Sequence, residues 1–188
     1  MLVLISSEDN IEEEVEMVSS LFEGGYVFRF HLRKPTLSKA ELKEIVCKIN
    51  ESHWEKCVVH FQGRHYSFTD FNRDSDKVIP ASISTSFHSE EDVYDDGMNY
   101  TYFFCSPVFE SISKKGYMPS VDWNTEKWDR SLQKKAVALG GINDSNLDAV
   151  LKKGFQNLAV VGHVWLSKDP KTSFIKLYER CLQLDLIA

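Results

Sequence analysis

Apolar positions in this chain fall into short continuous runs separated by stretches of helical period. Leu2 to Ile5 is wholly apolar, the pattern of a strand buried on both faces. Ile11, Val15, Val18 and Phe22 then recur at helical spacing, and Gly24-Gly25 supplies a helix stop. Tyr26 to Leu32 reads as a second strand. Ser38 and Glu41 make a capping box, opening a helix with Leu42, Ile45, Val46 and Ile49 on one face. Cys57 to Phe61 is a third strand. Val78 to Ser84 is a fourth, weakened by Pro80, and Ser89 begins a short helix after it. Tyr100 to Ser106, Lys135 to Gly141 and Leu158 to Gly162 supply the fifth, sixth and seventh strands. Between the last two lies a helix carrying Leu147, Val150 and Leu151 that stops at Gly154. Asp169 as N-cap and Pro170 at the first helical position open a final amphipathic helix.

Repeated β-then-α units predict an α/β protein with a parallel sheet and helices outside it. Regular spacing without a linker fits one domain over residues 1–188, built as a TIM-type (β/α) barrel. An open doubly wound sheet is the rival. ISSEDN after the first strand lacks G-x-G-x-x-G, which removes support from the dinucleotide-binding form of that rival. Only seven strands are evident, where a closed barrel has eight. The polar, aromatic stretch Gly63 to Asp76 either hides a short strand around His65 to Phe68 or marks one βα unit as reduced or missing. An open edge there calls for cover, from the aromatic segment Tyr66 to Phe71 or from a second copy of the chain in a homo-oligomer.

A length of 188 residues allows a sizeable core, and 43% hydrophobic with 27% charged residues is ordinary for a globular protein. The formal net charge of −6 gives no general attraction to nucleic acid or to an anionic membrane, so clustered basic residues stand out as local design. No apolar run reaches the length of a membrane span. The amino-terminal run is too short for a signal peptide and has no basic residues before it, so a cytoplasmic location is expected. Cys47, Cys57, Cys105 and Cys181 show no C-x-x-C spacing and sit in or beside apolar runs, as buried thiols in a reducing compartment do.

In a parallel barrel the loops after the strands build the site. After the second strand come His31, Arg33 and Lys34. After the third come His60, Gln62 and Arg64, and after the fourth Ser84, Ser86 and His88. The fifth leads into Ser111, Ser113, Lys114, Lys115 and Gly116. The sixth leads into Gly140, Gly141 and Asn143, and the seventh into Gly162 and His163. Basic side chains and hydroxyls at one end of an acidic protein imply an anionic ligand, and glycine turns before helices can aim backbone N–H groups at a phosphate. Each element has a plainer reading: Lys-Lys as a solvated loop, Gly-Gly as a generic turn, a strand-end histidine as a packing residue. No H-x-H follows the first strand and no carboxylate closely follows another, which argues against a zinc hydrolase and leaves no metal ligands assigned. A G-x-S-x-G elbow and a P-loop are also missing.

FFCSPVFESISKKGY, VALGGINDSNLDAVLKKGFQNLAVVGHVW and SISTSFHSEEDV, in this arrangement, resemble the thiamin phosphate synthase/TenI family. HLRKP after the second strand resembles that family's Gln-Leu-Arg-x-Lys stretch, and the combination is similar to the variant of Bacteroidetes-type bacteria. The resemblance implies a triosephosphate-isomerase-type barrel. It implies a synthase joining a pyrimidine pyrophosphate to thiazole phosphate, or a TenI-like thiazole tautomerase, or a binding paralogue that keeps only the phosphate cradle. Residue by residue, Ser111 and Ser113 match hydroxyls holding an anionic group of the thiazole. Lys114 and Arg33 match pyrophosphate contacts, with His31 and Lys34 beside them. Ser86 and His88 match a G-x-S-x-H element of the catalytic machinery, and Gly140, Gly141, Gly162 and His163 match the thiazole-phosphate cradle. The family also implies Mg2+ held by aspartates after the third and fourth strands. Here Phe61 or Gln62 stands where the first would be, so the magnesium ligands are not found.

Overall fold

A computed structural model describes residues 1–8, 12–73, 81–112, 116 and 118–187. Eight strands follow one another in chain order around a closed barrel: β1 (Leu2–Ile5), β2 (Arg29–Leu32), β3 (Cys57–Phe61), β4 (Arg64–Ser67), β5 (Ser84–Phe87), β6 (Tyr102–Cys105), β7 (Ala136–Leu139) and β8 (Leu158–Val160). The chain divides into two compact units, Leu4–Ile83 and the remainder.

In the Leu4–Ile83 unit, α1 (Glu12–Glu23) buries Val15, Val18, Leu21 and Phe22. It ends where Gly25 takes a positive φ of 83° and Tyr26 N–H reaches back to Leu21 O at 3.1 Å, a Schellman-type stop. Residues 26–28 are irregular after this turn, so β2 starts at Arg29. α2 (Lys39–Cys47) opens on the expected capping box. Glu41 N–H donates to Ser38 Oγ at 3.3 Å, and Ser38 N–H donates to Glu41 Oε2 at 2.8 Å. β3 pairs parallel to β2, with His31 opposite Val58.

The stretch after β3 holds the eighth strand, and it departs from the βα pattern. Gln62 and Gly63 both have positive φ (49° and 75°), as a two-residue type I′ hairpin turn requires. β4 therefore returns antiparallel to β3, with His60 opposite His65. A five-residue helix, α3 (Phe68–Asn72), follows on the N-cap Ser67 and buries Phe68 and Phe71. A hairpin thus replaces a full βα unit.

In the other unit β5 to β8 are parallel neighbours. The fourth strand expected at Val78 to Ser84 is displaced: the strand is Ser84–Phe87, residues 81–83 are irregular, and residues 74–80 lie outside those described. STSF buries only its ends, so its composition hides it. α4 (Glu90–Asp96) follows with Ser89 as N-cap, α5 (Arg130–Lys135) precedes β7, and α6 (Leu147–Lys152) precedes β8. α7 (Gly162–Trp165) is one turn, and α8 (Pro170–Gln183) buries Phe174, Leu177 and Cys181 behind the Asp169 cap. Phe103, Phe104, Phe155 and Trp123 are among the large fully buried side chains of this unit. Among the described residues no helix is long and apolar enough to cross a membrane.

Candidate functional site

The registers of β5 to β8 align four strand ends. Phe87 faces Cys105, Cys105 faces Ala138, and Leu139 faces Ala159. His88, Ser106, Gly140-Gly141 and Gly162 each follow within a few residues, so they share the carboxyl end of this sheet. His88 is exposed, and its Nδ1 lies 2.6 Å from the carbonyl oxygen of Ser106. A carbonyl can only accept, so Nδ1 carries a proton, and in the neutral ring the lone pair is then on Nε2. That tautomer is a base with a fixed ring. Ser86, one pleat earlier on β5, is exposed as well.

The glycine turn after β7 is built for close approach. A Cβ on Gly140 would sit 2.8 Å from Pro107 Cβ, and one on Gly141 would sit 2.3 Å from Glu110 O; both residues have positive φ, 97° and 69°. Val108 N–H donates to Leu139 O at 2.9 Å and Phe109 N–H to Gly140 O at 3.1 Å. The Pro107–Glu110 stretch therefore lies directly on the turn. Trp123 holds it as well, donating its indole N–H to Pro107 O at 3.1 Å. Gly141 O accepts from the side-chain amides of Asn143 (3.2 Å) and Asn146 (2.8 Å), which fixes that peptide's orientation. Asn146 and Trp123 were not among the sequence candidates: each acts through main-chain carbonyls, which leave no spacing signal. Ser111 is half-buried at the end of this loop, while Ser113, Lys114 and Lys115 lie outside the described residues. His163 is half-buried on α7; Ser173 Oγ donates to its carbonyl at 3.1 Å, and burial pushes the imidazole below its ordinary range.

The basic residues after β2 have different surroundings. Lys34, expected to bind substrate, is only 2% exposed; its Nζ lies 2.8 Å from Glu14 Oε2 and donates to Ser7 O at 2.8 Å. Glu14 is equally buried, and its other oxygen accepts from Ser7 N–H. Oε2 has no well-angled hydrogen bond, so the ammonium charge itself compensates it. This ion pair fastens β2 to α1 and employs Lys34 structurally. Arg33 is half-exposed and pairs with Glu8.

His31, fully buried, packs against two histidines. Its Nδ1 lies 2.9 Å from His60 Nε2, and the His60 and His65 rings stack at 3.7 Å. All three offer a ring nitrogen within 4.8 Å of the others. Burial, reinforced by the neighbouring imidazoles and Arg29 or Arg33, holds His31 and His60 well below the usual histidine range. Burial and the Arg33 charge bring His65 down to about 4. The three are neutral at physiological pH. Sequence reading weighed a metal site on the strand-end histidines, set it aside and passed over His65, because only the hairpin register joins it to His31 and His60.

Among the described residues, the place of the first magnesium ligand implied by family resemblance holds no carboxylate. The loop that would carry the first aspartate is the Gln62-Gly63 turn, which has no carboxylate. Among the described residues, the group with metal-ligand spacing is the all-nitrogen histidine trio, whereas magnesium takes oxygen donors.

By fold, then, this is a triosephosphate-isomerase-type α/β barrel in which β4 runs antiparallel to β3. The chain belongs to the thiamine monophosphate synthase family, whose model matches residues 58–164, more than half its length. It is 27% identical over 103 residues to a thiamine-phosphate synthase of Hyphomonas neptunium, covering 55% of this chain and 46% of that one. It is 26% identical over 186 residues to one of Prochlorococcus marinus, covering 89% and 52%. The chain thus spans about half the length of these two curated relatives. It is 24% identical to the thiamine-phosphate synthase of Caldicellulosiruptor saccharolyticus, with 90% and 85% covered. Two solved structures share the fold. The thiamine phosphate pyrophosphorylase of Bacteroides thetaiotaomicron superposes with a TM-score of 0.73 at 24% identity, covering 96% of each chain. That of Pyrococcus furiosus gives 0.69 at 21%, covering 100% of this chain and 96% of its own.

Proposed function

We propose that this protein is a thiamin phosphate synthase-like enzyme that joins a pyrimidine pyrophosphate to thiazole phosphate. The observation that carries the reading is the alignment of His88, the Gly140-Gly141 turn and the Gly162 turn at one end of four parallel strands, inside the span matched to the family. In this reading the glycine turns, the His163 amide, Ser111 and Ser113 hold the thiazole phosphate. The thiazole nitrogen attacks the pyrimidine methylene carbon as its bond to pyrophosphate breaks. Lys114, assigned by its sequence position, meets the charge gathering on the leaving group, and Ser86 lines the approach. A pre-set charge donor of this kind is worth about 2–4 kcal/mol of barrier.

A second reading is supported by His88 itself. An exposed imidazole whose Nδ1 is held by Ser106 O suits proton transfer between thiazole tautomers through Nε2, and this TenI-like activity needs no magnesium. Assays of both reactions on wild type, Lys114→Ala and His88→Ala separate the two. A synthase loses about 100-fold or more with Lys114→Ala. A tautomerase keeps its rate there and loses about 100- to 10,000-fold with His88→Ala. Failure of wild type to turn over either substrate or to bind thiazole phosphate in calorimetry would remove both readings.

A further inference from the structure

We propose that His31, His60 and His65 form a binding site for a divalent transition-metal ion of the zinc type. The β2–β3 register sets His31 opposite Val58, and His60 lies two residues further along β3 on the same face. The antiparallel return of β4 then sets His65 opposite His60. The histidines of three successive strands therefore meet because the hairpin replaces a βα unit; a parallel β4 would not bring His65 back across from His60.

The donor chemistry selects the ion. Three imidazoles suit Zn2+, Co2+, Ni2+ or Cu2+, and offer no oxygen ligand to Mg2+. Zinc–nitrogen bonds are about 2.0–2.1 Å, so two nitrogens on one ion stand roughly 3–4 Å apart. Here the nitrogens all lie within 4.8 Å of one another, and His31 Nδ1 and His60 Nε2 stand 2.9 Å apart. Ligation requires the His60 and His65 rings to turn out of their stack so that the three lone pairs meet at one centre. The proton now shared between His31 Nδ1 and His60 Nε2 moves to the other nitrogen of the ring that carries it. Neutral imidazoles then ligate with no net proton release. Arg33 opposes a cation here, and its pairing with Glu8 offsets part of that charge. Three protein ligands leave a fourth position for water or an anion. The ion would also tie β4 to β2. The inference stands independently of the function proposed above.

The test uses tag-free, chelator-stripped protein titrated with Zn2+, with Co2+ as the spectroscopic probe and Mg2+ for comparison. The expected result is one Zn2+ per chain, a thermal midpoint that rises with Zn2+ and not with Mg2+, and a visible Co2+ band. His60→Asn and His65→Asn should each weaken Zn2+ binding by more than about 100-fold, beyond the loss from an outer-shell partner. His53→Asn, outside the trio, should leave it unchanged. His65→Cys should retain Co2+ and add a thiolate charge-transfer band. Should the asparagine variants fail to fold, wild-type stoichiometry and the His65→Cys spectrum still decide. Wild type that takes up no Zn2+ or Co2+, or folded His60→Asn and His65→Asn with wild-type affinity, would overturn the site, as would a folded His65→Cys without the new band.

Discussion

Replacing Glu14 by Gln removes one charge from the ion pair behind β2 and leaves the shape nearly intact. Lys34 would then hold a buried ammonium against a neutral amide. With both side chains 2% exposed and 2.8 Å apart, solvent cannot screen or replace the lost partner. Breaking such a pair costs about 3–5 kcal/mol, a large share of the roughly 5–15 kcal/mol that holds a domain folded. With a urea m-value near 3 kcal/mol/M, a loss of about 4 kcal/mol lowers the unfolding midpoint by about 1.3 M. Glu14→Gln, Lys34→Met and the double variant form a cycle. The double variant should regain part of the loss, because a Gln–Met pair leaves no charge buried without a partner. A Glu14→Gln loss below about 1 kcal/mol, the range of exposed pairs, would refute the reasoning. So would a double variant no more stable than the single.

Other outcomes follow from the same geometry. Gly141→Ala should cost at least about 1–2 kcal/mol from its positive φ, and more from the Cβ 2.3 Å from Glu110 O; thiazole phosphate calorimetry should show weakened binding, and an unchanged melt and affinity would contradict the close-packed turn. Gly63→Ala, in the hairpin turn, should cost about 1–2 kcal/mol in denaturant melts, since no neighbouring atom relieves or worsens its φ of 75°. Native protein at pH 8 should expose one fast-reacting thiol, the surface Cys47. Burial pushes Cys57 up to about 12 and Cys181 up to about 11, and Cys105 well above the ordinary thiol range, so these react only on unfolding.

What the sequence made legible was local. The apolar runs of β1, β3 and β6, the Ser38–Glu41 box and the Asp169-Pro170 helix start carry their causes within a few residues, and the structure has them there. β5 was misplaced because STSF puts hydroxyls at strand positions, while the more apolar VIPASIS drew the assignment upstream. β4 was only suspected, since Gln62 adopts positive φ without the Asn-Gly or Asp-Gly signature that advertises a hairpin. Cys47 has an apolar sequence neighbourhood yet ends α2 on the surface. Lys34 looked like a ligand contact because it is basic and follows a strand; nothing local reveals that Glu14, on a helix before that strand, faces it. The histidine trio is likewise a product of register. Lys114, on which the synthase reading leans, remains an assignment by motif.

The hairpin of β3 and β4 also bears on how the chain finds its structure. Parallel neighbours such as β6 and β7 can pair only after the chain has travelled out and back through an intervening segment, which makes their closure slow. The Gln62-Gly63 turn asks for a loop of two residues, and hairpins close in about 1–10 μs. Residues 57–67 are therefore placed to pair before the parallel strands and to offer β2 a ready-made edge on which to dock. Substitutions in this hairpin are expected to slow refolding, whereas substitutions in β7 or β8 should mainly speed unfolding.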